Sequence, residues 1–134
     1  MSLTSADIRN VAIIGHNGTG KTTLLEHILL NSGVIPRAES VDSGKTVSDY
    51  TDEEIEKVIS IHAAVANFEW KNSVMNFIDT PGTADFVGEV VSAFRASESA
   101  LMIIDGRAGV QIETIKLWRR LNNRNMPRMI FINK

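Results

Sequence analysis

Residues 15–23 read GHNGTGKTT, and Gly15, Gly20, Lys21 and Thr22 meet the spacing G-x-x-x-x-G-K-[ST]. That spacing serves anion binding. Glycines without a Cβ let successive backbone N–H groups of Asn17, Gly18, Thr19, Gly20, Lys21 and Thr22 curl around a phosphate. A helix N-terminus adds only ~0.3–1 kcal/mol toward an anion, or ~2 kcal/mol when partly buried, so several phosphate charges need more than a dipole. Lys21 supplies a point charge for β and γ oxygens. Thr22 supplies a hydroxyl oxygen to Mg²⁺, which keeps most of its waters and takes few protein ligands. These residue types at this spacing point to a magnesium nucleotide.

Two further groups bear on the same chemistry. DTPG, Asp79 to Gly82, follows an aliphatic run, where Asp79 can orient magnesium waters and the Gly82 N–H can meet a γ-phosphate. Standing alone, the tetrapeptide is also an ordinary turn. The run FINK then places Asn133 and Lys134 after a last aliphatic stretch.

The elements that must position these groups are legible from periodicity. Residues 11–14, 61–70, 74–78, 101–104 and 129–132 read as strands. A helix is expected after Lys21, with Leu24, Leu25, Ile28 and Leu29 on one face and Gly33 closing it. A second runs from about Asp85 to Ala96 with the stripe Val87, Val90, Val91, Phe94; a third carries Thr114, Leu117, Trp118 and Leu121 and stops before Pro127. Strands alternating with helices predict an α/β fold with a mostly parallel sheet. The exception is the pair 61–70 and 74–78, whose short link Lys71, Asn72, Ser73 predicts an antiparallel hairpin. Four runs end in Gly15, Asp79, Asp105 and Asn133, and ligands of open parallel sheets bind outside such strand ends. Residues 32–60 show little periodicity and are expected to form a mobile polar loop, including Asp49, with at most one brief helix capped by Thr51 and Glu54 and carrying Ile55, Val58 and Ile59.

Composition narrows the class without naming a partner. The 134 residues fit one domain, 43% hydrophobic and 22% charged, with net charge -2. Any polyanion must therefore be bound locally, and neither a membrane nor direct DNA contact is expected. No cysteine is present, so disulfides and thiolate metal sites are excluded. No apolar run approaches the ~20 residues of a membrane span, and the first ten residues lack an apolar signal core, so a cytoplasmic location is expected.

The motifs GHNGTGKTT, DTPGTADFVGEV and FINK, in that order and with KVISI between the first two, resemble the N-terminal part of the GTPase domain of translational GTPases, most closely bacterial elongation factor G and its paralogues. The resemblance covers essentially the whole chain. It implies a phosphate-loop three-layer fold, GTP or GDP as ligand, Mg²⁺, and the ribosome as partner. It implies that residues 15–23, His16 and Thr23 included, hold the phosphates and that Ser60 stands where the family has a magnesium-binding threonine. Asn133 and Lys134 would begin the base-reading motif, whose aspartate lies two positions further on, so the chain is expected to be the N-terminal portion of a GTP-binding domain from a longer parent. The isolated portion is then expected to bind GDP weakly and to have little or no activity.

The sequence also departs from that pattern. Thr83 stands where the family usually has a histidine that positions the attacking water, and it cannot carry a proton at neutral pH. Gly18 replaces an aspartate, and Lys57 and Val58 replace arginine and glycine. Two functions stay open: a GTP hydrolase stimulated by the ribosome, using Lys21 and, doubtfully, Thr83, or a nucleotide-gated binding module that hydrolyses little. An ATPase is a third reading. Other residues carry bland expectations: Trp70 and Trp118 pack, Glu53, Glu54 and Glu56 are solvated, Arg119, Arg120, Arg124 and Arg128 form a solvated face, and His27 and His62 lack metal-ligand spacing.

Overall fold

The computed structural model describes residues 4–48, 51–57 and 59–134, so Asp49 and Val58 lie outside the described residues. In chain order the elements are β1 (Ile8–Ile14), α1 (Lys21–Asn31), α2 (Asp52–Lys57), β2 (Ala64–Trp70), β3 (Ser73–Asp79), α3 (Val87–Ala96), β4 (Ser99–Asp105), α4 (Ile112–Asn123) and β5 (Arg128–Asn133). The strands make one sheet in the order β2-β3-β1-β4-β5. β1 runs parallel to β3 and β4, β4 parallel to β5, and β2 antiparallel to β3. This is the mixed, mostly parallel α/β sheet that the alternation of strands and helices predicts.

Side-chain alternation sorts the core into two layers. Ala12, Ile14, Ile78 and Met102 face α3 and α4, meeting Val90, Phe94, Leu117 and Leu121. Ile13, Phe77 and Ile103 face the other way, onto Leu25 and Leu29 of α1. Burying an aliphatic side chain of this size stabilises by roughly 1.5–3 kcal/mol, so Leu25 and Leu29, each 1% exposed, anchor α1 firmly. Adjacent parallel strands β1 and β3 thus send their following helices to opposite faces, which opens a crevice at their carboxyl ends. α1 ends as its Gly33 predicts: the Gly33 N–H donates to Leu30 O at 3.0 Å and the Val34 N–H to Leu29 O at 3.0 Å, the paired bonds of a Schellman motif.

Several expectations are corrected. β2 begins at Ala64, not at residue 61, because the N–H groups of Ile61 and His62 donate to Glu54 and that of Ala63 to Glu89, leaving none for a strand ladder. The hairpin link is two residues, Lys71 and Asn72, both at positive φ, with Trp70 paired to Ser73. α3 starts at Val87, preceded by a 3-10 turn over Ala84–Phe86. Trp70 and Trp118 are not core residues, being 51% and 38% exposed: Trp70 closes the edge hairpin, and Trp118 lies under the Arg128 guanidinium at 4.4 Å. Arg124 likewise stacks on Phe94 at 5.6 Å, so part of the arginine face is packed and not merely solvated. Glu54, expected in solvent, is 1% exposed.

Candidate functional site

The carboxyl ends of β1 and β3 lie side by side, Ile13 opposite Asp79, and their two following loops meet there. Gly20 caps α1 in the left-handed region at φ 86°, and a Cβ on it would sit 2.6 Å from Asn133 Nδ2. Gly82 approaches just as closely from the DTPG loop: a Cβ there would lie 2.6 Å from Lys21 Nζ and 2.7 Å from the Asn17 backbone. Thr80, fully buried, donates to Ile13 O at 2.7 Å and pins that loop to β1.

Lys21, 6% exposed, folds back across the glycine-rich loop and donates to Gly15 O at 3.1 Å and His16 O at 3.2 Å. Thr22 Oγ1 donates to Asp79 Oδ2 at 2.7 Å and lies 3.4 Å from Ser60 Oγ. Three hard oxygen donors from three separate segments therefore converge at Thr22, the residue that follows Lys21. Such a donor set fits a small dication that keeps most of its waters.

These groups border a cleft of about 350 Å³ lined by Asn17, Gly18, Gly20, Lys21, Thr22, Thr23, Ser60, Gly82 and Lys134, together with Val41 and Ile59. Of the remaining sequence-derived residues, Thr19 is fully buried and braces the loop by donating from Oγ1 to His16 O at 3.0 Å. Asp79 is buried behind Thr22. Gly15 and Thr83 line a neighbouring cavity of about 250 Å³ between the DTPG loop and α4, and Thr83 Oγ1 is buried without a hydrogen-bond partner among the described residues. His16 bonds through Nδ1 to Asn17 O at 2.7 Å, a contact within the loop.

FINK closes the far side. Asn133 Nδ2 donates to Thr19 O at 2.9 Å, and Lys134 Nζ donates to Gly18 O while lying 3.5 Å from Asp105 Oδ2. Amides of Ala108 and Arg107, with Lys134 nearby, hold the Asp105 carboxyl below its ordinary range.

Sequence reasoning missed four residues here. Val41 and Ile59 touch the cleft, and only the neighbouring Ser60 gave any hint of Ile59. Glu26 and Glu54 are each 1% exposed: Glu54 accepts from the amides of Ile61 and His62 just after Ser60, and Glu26 from those of Glu39 and Val47 earlier in the same connection. The available signal for Glu26 was its position one turn after Thr22, on the same buried face of α1.

A model of the family described as the elongation factor Tu GTP binding domain matches residues 6–134. The chain belongs to that family. Among its relatives are proteins named "Ribosome-releasing factor 2, mitochondrial" from Yarrowia lipolytica (43% identical, 98% of this chain and 16% of the relative), Schizosaccharomyces pombe (44%, 95% and 16%) and Pongo abelii (42%, 96% and 17%). A crystal structure from Thermus thermophilus superposes with a TM-score of 0.91 at 37% identity, over 96% of this chain and 19% of that one. As a member of the elongation factor Tu GTP-binding family, the chain spans about a sixth of the length of the curated relatives it matches.

Proposed function

We propose that this protein is the N-terminal, nucleotide-binding portion of a longer GTP hydrolase that requires Mg²⁺ and works on the ribosome. The supporting observation is the meeting of the Thr22, Ser60 and Asp79 oxygens, with Thr22, Ser60 and Lys21 lining one cleft and Asp79 buried behind Thr22. In this reading the backbone amides of residues 15–23 and the Lys21 ammonium bind the phosphates, and Gly82 offers its N–H to the terminal one. Thr22 and Ser60 would hold Mg²⁺ directly and Asp79 through water; when bound, the cation neutralises charge on the phosphate oxygens. Asn133 and Lys134 would face the guanine base, braced against the phosphate loop through Thr19 and Gly18.

The relatives' names support a ribosomal partner, and the word mitochondrial in them favours the mitochondrial matrix over the cytoplasm that composition alone led us to expect. No helix among the described residues is long and apolar enough to cross a membrane.

Thr83 favours a second reading. It occupies the position of the family's usual histidine, its hydroxyl has no partner among the described residues, and it cannot take a proton at neutral pH. The protein would then be a nucleotide-gated module that displays a surface and turns over slowly. Phosphate release by the full-length parent, with and without ribosomes, separates the two: stimulation by ribosomes supports the hydrolase, and a rate at background in both arms supports the module.

A further inference from the structure

Two buried carboxylates hold the long connection between α1 and β2. Glu26 lies on α1 one turn beyond Thr22, and its two oxygens accept the backbone N–H of Val47 at 2.6 Å and of Glu39 at 3.0 Å. Glu54 lies on α2 and accepts Ile61 N–H and His62 N–H at 3.0 Å each through Oε1, and the N–H and Oγ1 of Thr51 at 3.1 and 2.8 Å through Oε2. Among the described residues, five backbone amides of this connection thus end on two side chains that are each 1% exposed. Hydrogen bonds to an ionised acceptor are about twice as strong as neutral ones, and leaving buried amides unpaired is costly. Two of the amides on Glu54, those of Ile61 and His62, immediately follow Ser60, the residue whose hydroxyl reaches Thr22.

We propose that Glu54 is a positioning residue that holds the Ser60 oxygen beside Thr22, with Glu26 holding the earlier part of the same connection, making binding of a nucleoside triphosphate depend on these carboxylates while binding of a diphosphate does not. The inference rests on the reading of the site as a magnesium-nucleotide site, because it assigns Ser60 a part in sensing the terminal phosphate. The separation of effects follows from the geometry. Lys21 and the glycine-rich loop are tied to Gly15, His16, Thr19 and Asn133, and Thr22 to Asp79, so neither needs Glu26 or Glu54 to stay in place. Ser60, by contrast, is followed by two amides that end on Glu54 and by an Ala63 N–H that ends on Glu89 at 2.8 Å.

Glu54→Gln keeps the shape but turns one of its two acceptor positions into a donor that faces donors. The test is a titration of the full-length parent and its Glu54→Gln, Ser60→Ala and double variants with Mg·GDP and with a non-hydrolysable Mg·GTP analogue. Glu54→Gln is expected to weaken the analogue roughly 10- to 100-fold and GDP less than threefold, with the double variant no weaker than Ser60→Ala alone. Equal losses for both nucleotides, no loss for either, or additive losses in the double variant would overturn the proposal. Should Glu54→Gln fail to fold, Glu26→Gln, which disturbs Glu39 and Val47 in the same connection, takes its place with the same outcomes. If the unaltered parent binds neither nucleotide, the reading of the site itself fails, and that result is distinct from every outcome above.

Discussion

Thr22, the second residue of α1, and Asp79, the last residue of β3, are 57 positions apart in sequence and joined by a 2.7 Å hydrogen bond from the threonine hydroxyl to the carboxylate. The bond locks the glycine-rich loop to the DTPG loop at the crevice between β1 and β3. Removing the hydroxyl with Thr22→Ala is expected to cost about 1.5–3 kcal/mol of stability and to abolish the tightening of GDP binding by Mg²⁺. Nucleotide titrations with and without Mg²⁺, beside urea denaturation, check both effects; unchanged Mg²⁺ dependence would count against Thr22 as a ligand.

Gly82→Ala should damage the site without removing any polar group. Its new methyl would press on backbone atoms of Asn17 at 2.7 Å, which cannot swing aside as the Lys21 ammonium can. A cost of about 1–3 kcal/mol and a clear loss of triphosphate affinity are expected. Thermal unfolding together with titration of a GTP analogue provides the readout, and a wild-type melt with normal affinity would show the loops are looser than the close approach implies.

Stability should fall at acid pH through Glu54. Burial pushes its carboxyl up, but bonds from His62, Ile61 and Thr51 outweigh this and hold it at about 2 against an ordinary 4.5. A depressed folded value means the contribution is complete above about 4.5 and is lost as pH falls toward about 2. A tenfold change in proton affinity is worth roughly 1.4 kcal/mol, so a few kcal/mol at most, and less after solvent screening, disappear over that window. Denaturant titrations from about pH 7 to about pH 2.5 should show this decline, and Glu54→Gln should be less stable at neutral pH with a flatter profile. Parallel profiles for the two proteins would remove Glu54 from the acid response.

Leu29→Ala, at a 1% exposed position in the layer between α1 and the sheet, is expected to cost about 2–5 kcal/mol, whereas Trp70→Ala, 51% exposed, should cost far less. Urea midpoints of the two variants decide this, and a reversed order would mean the core is misassigned.

Much of the fold was readable because its signals are local. The aliphatic runs at residues 11–14 and 101–104, the apolar face of α1 and the Gly33 stop each depend on neighbours within a turn or a strand, and each appears as expected. The phosphate-loop spacing was readable for the same reason. What escaped was set by contacts across the fold. Glu54 looks solvated among Glu53 and Glu56 until Ile61 and His62 bring their amides to it, and those same bonds delay β2 to Ala64. Glu26 reads as one polar residue on an apolar helix, although its acceptors serve Glu39 and Val47, 13 and 21 positions away. Trp70 and Trp118 fit apolar patterns whose outer ends lie on the surface.

Calorimetric titration of Mg·GDP into this 134-residue protein and into its Lys21→Ala variant addresses the glycine-rich loop most directly. Saturable, magnesium-dependent heat is expected from the unaltered protein, weakened at least about tenfold in the variant by loss of the ammonium that spans Gly15 and His16. Identical traces from the two proteins, or no magnesium-dependent heat at millimolar nucleotide, would contradict it.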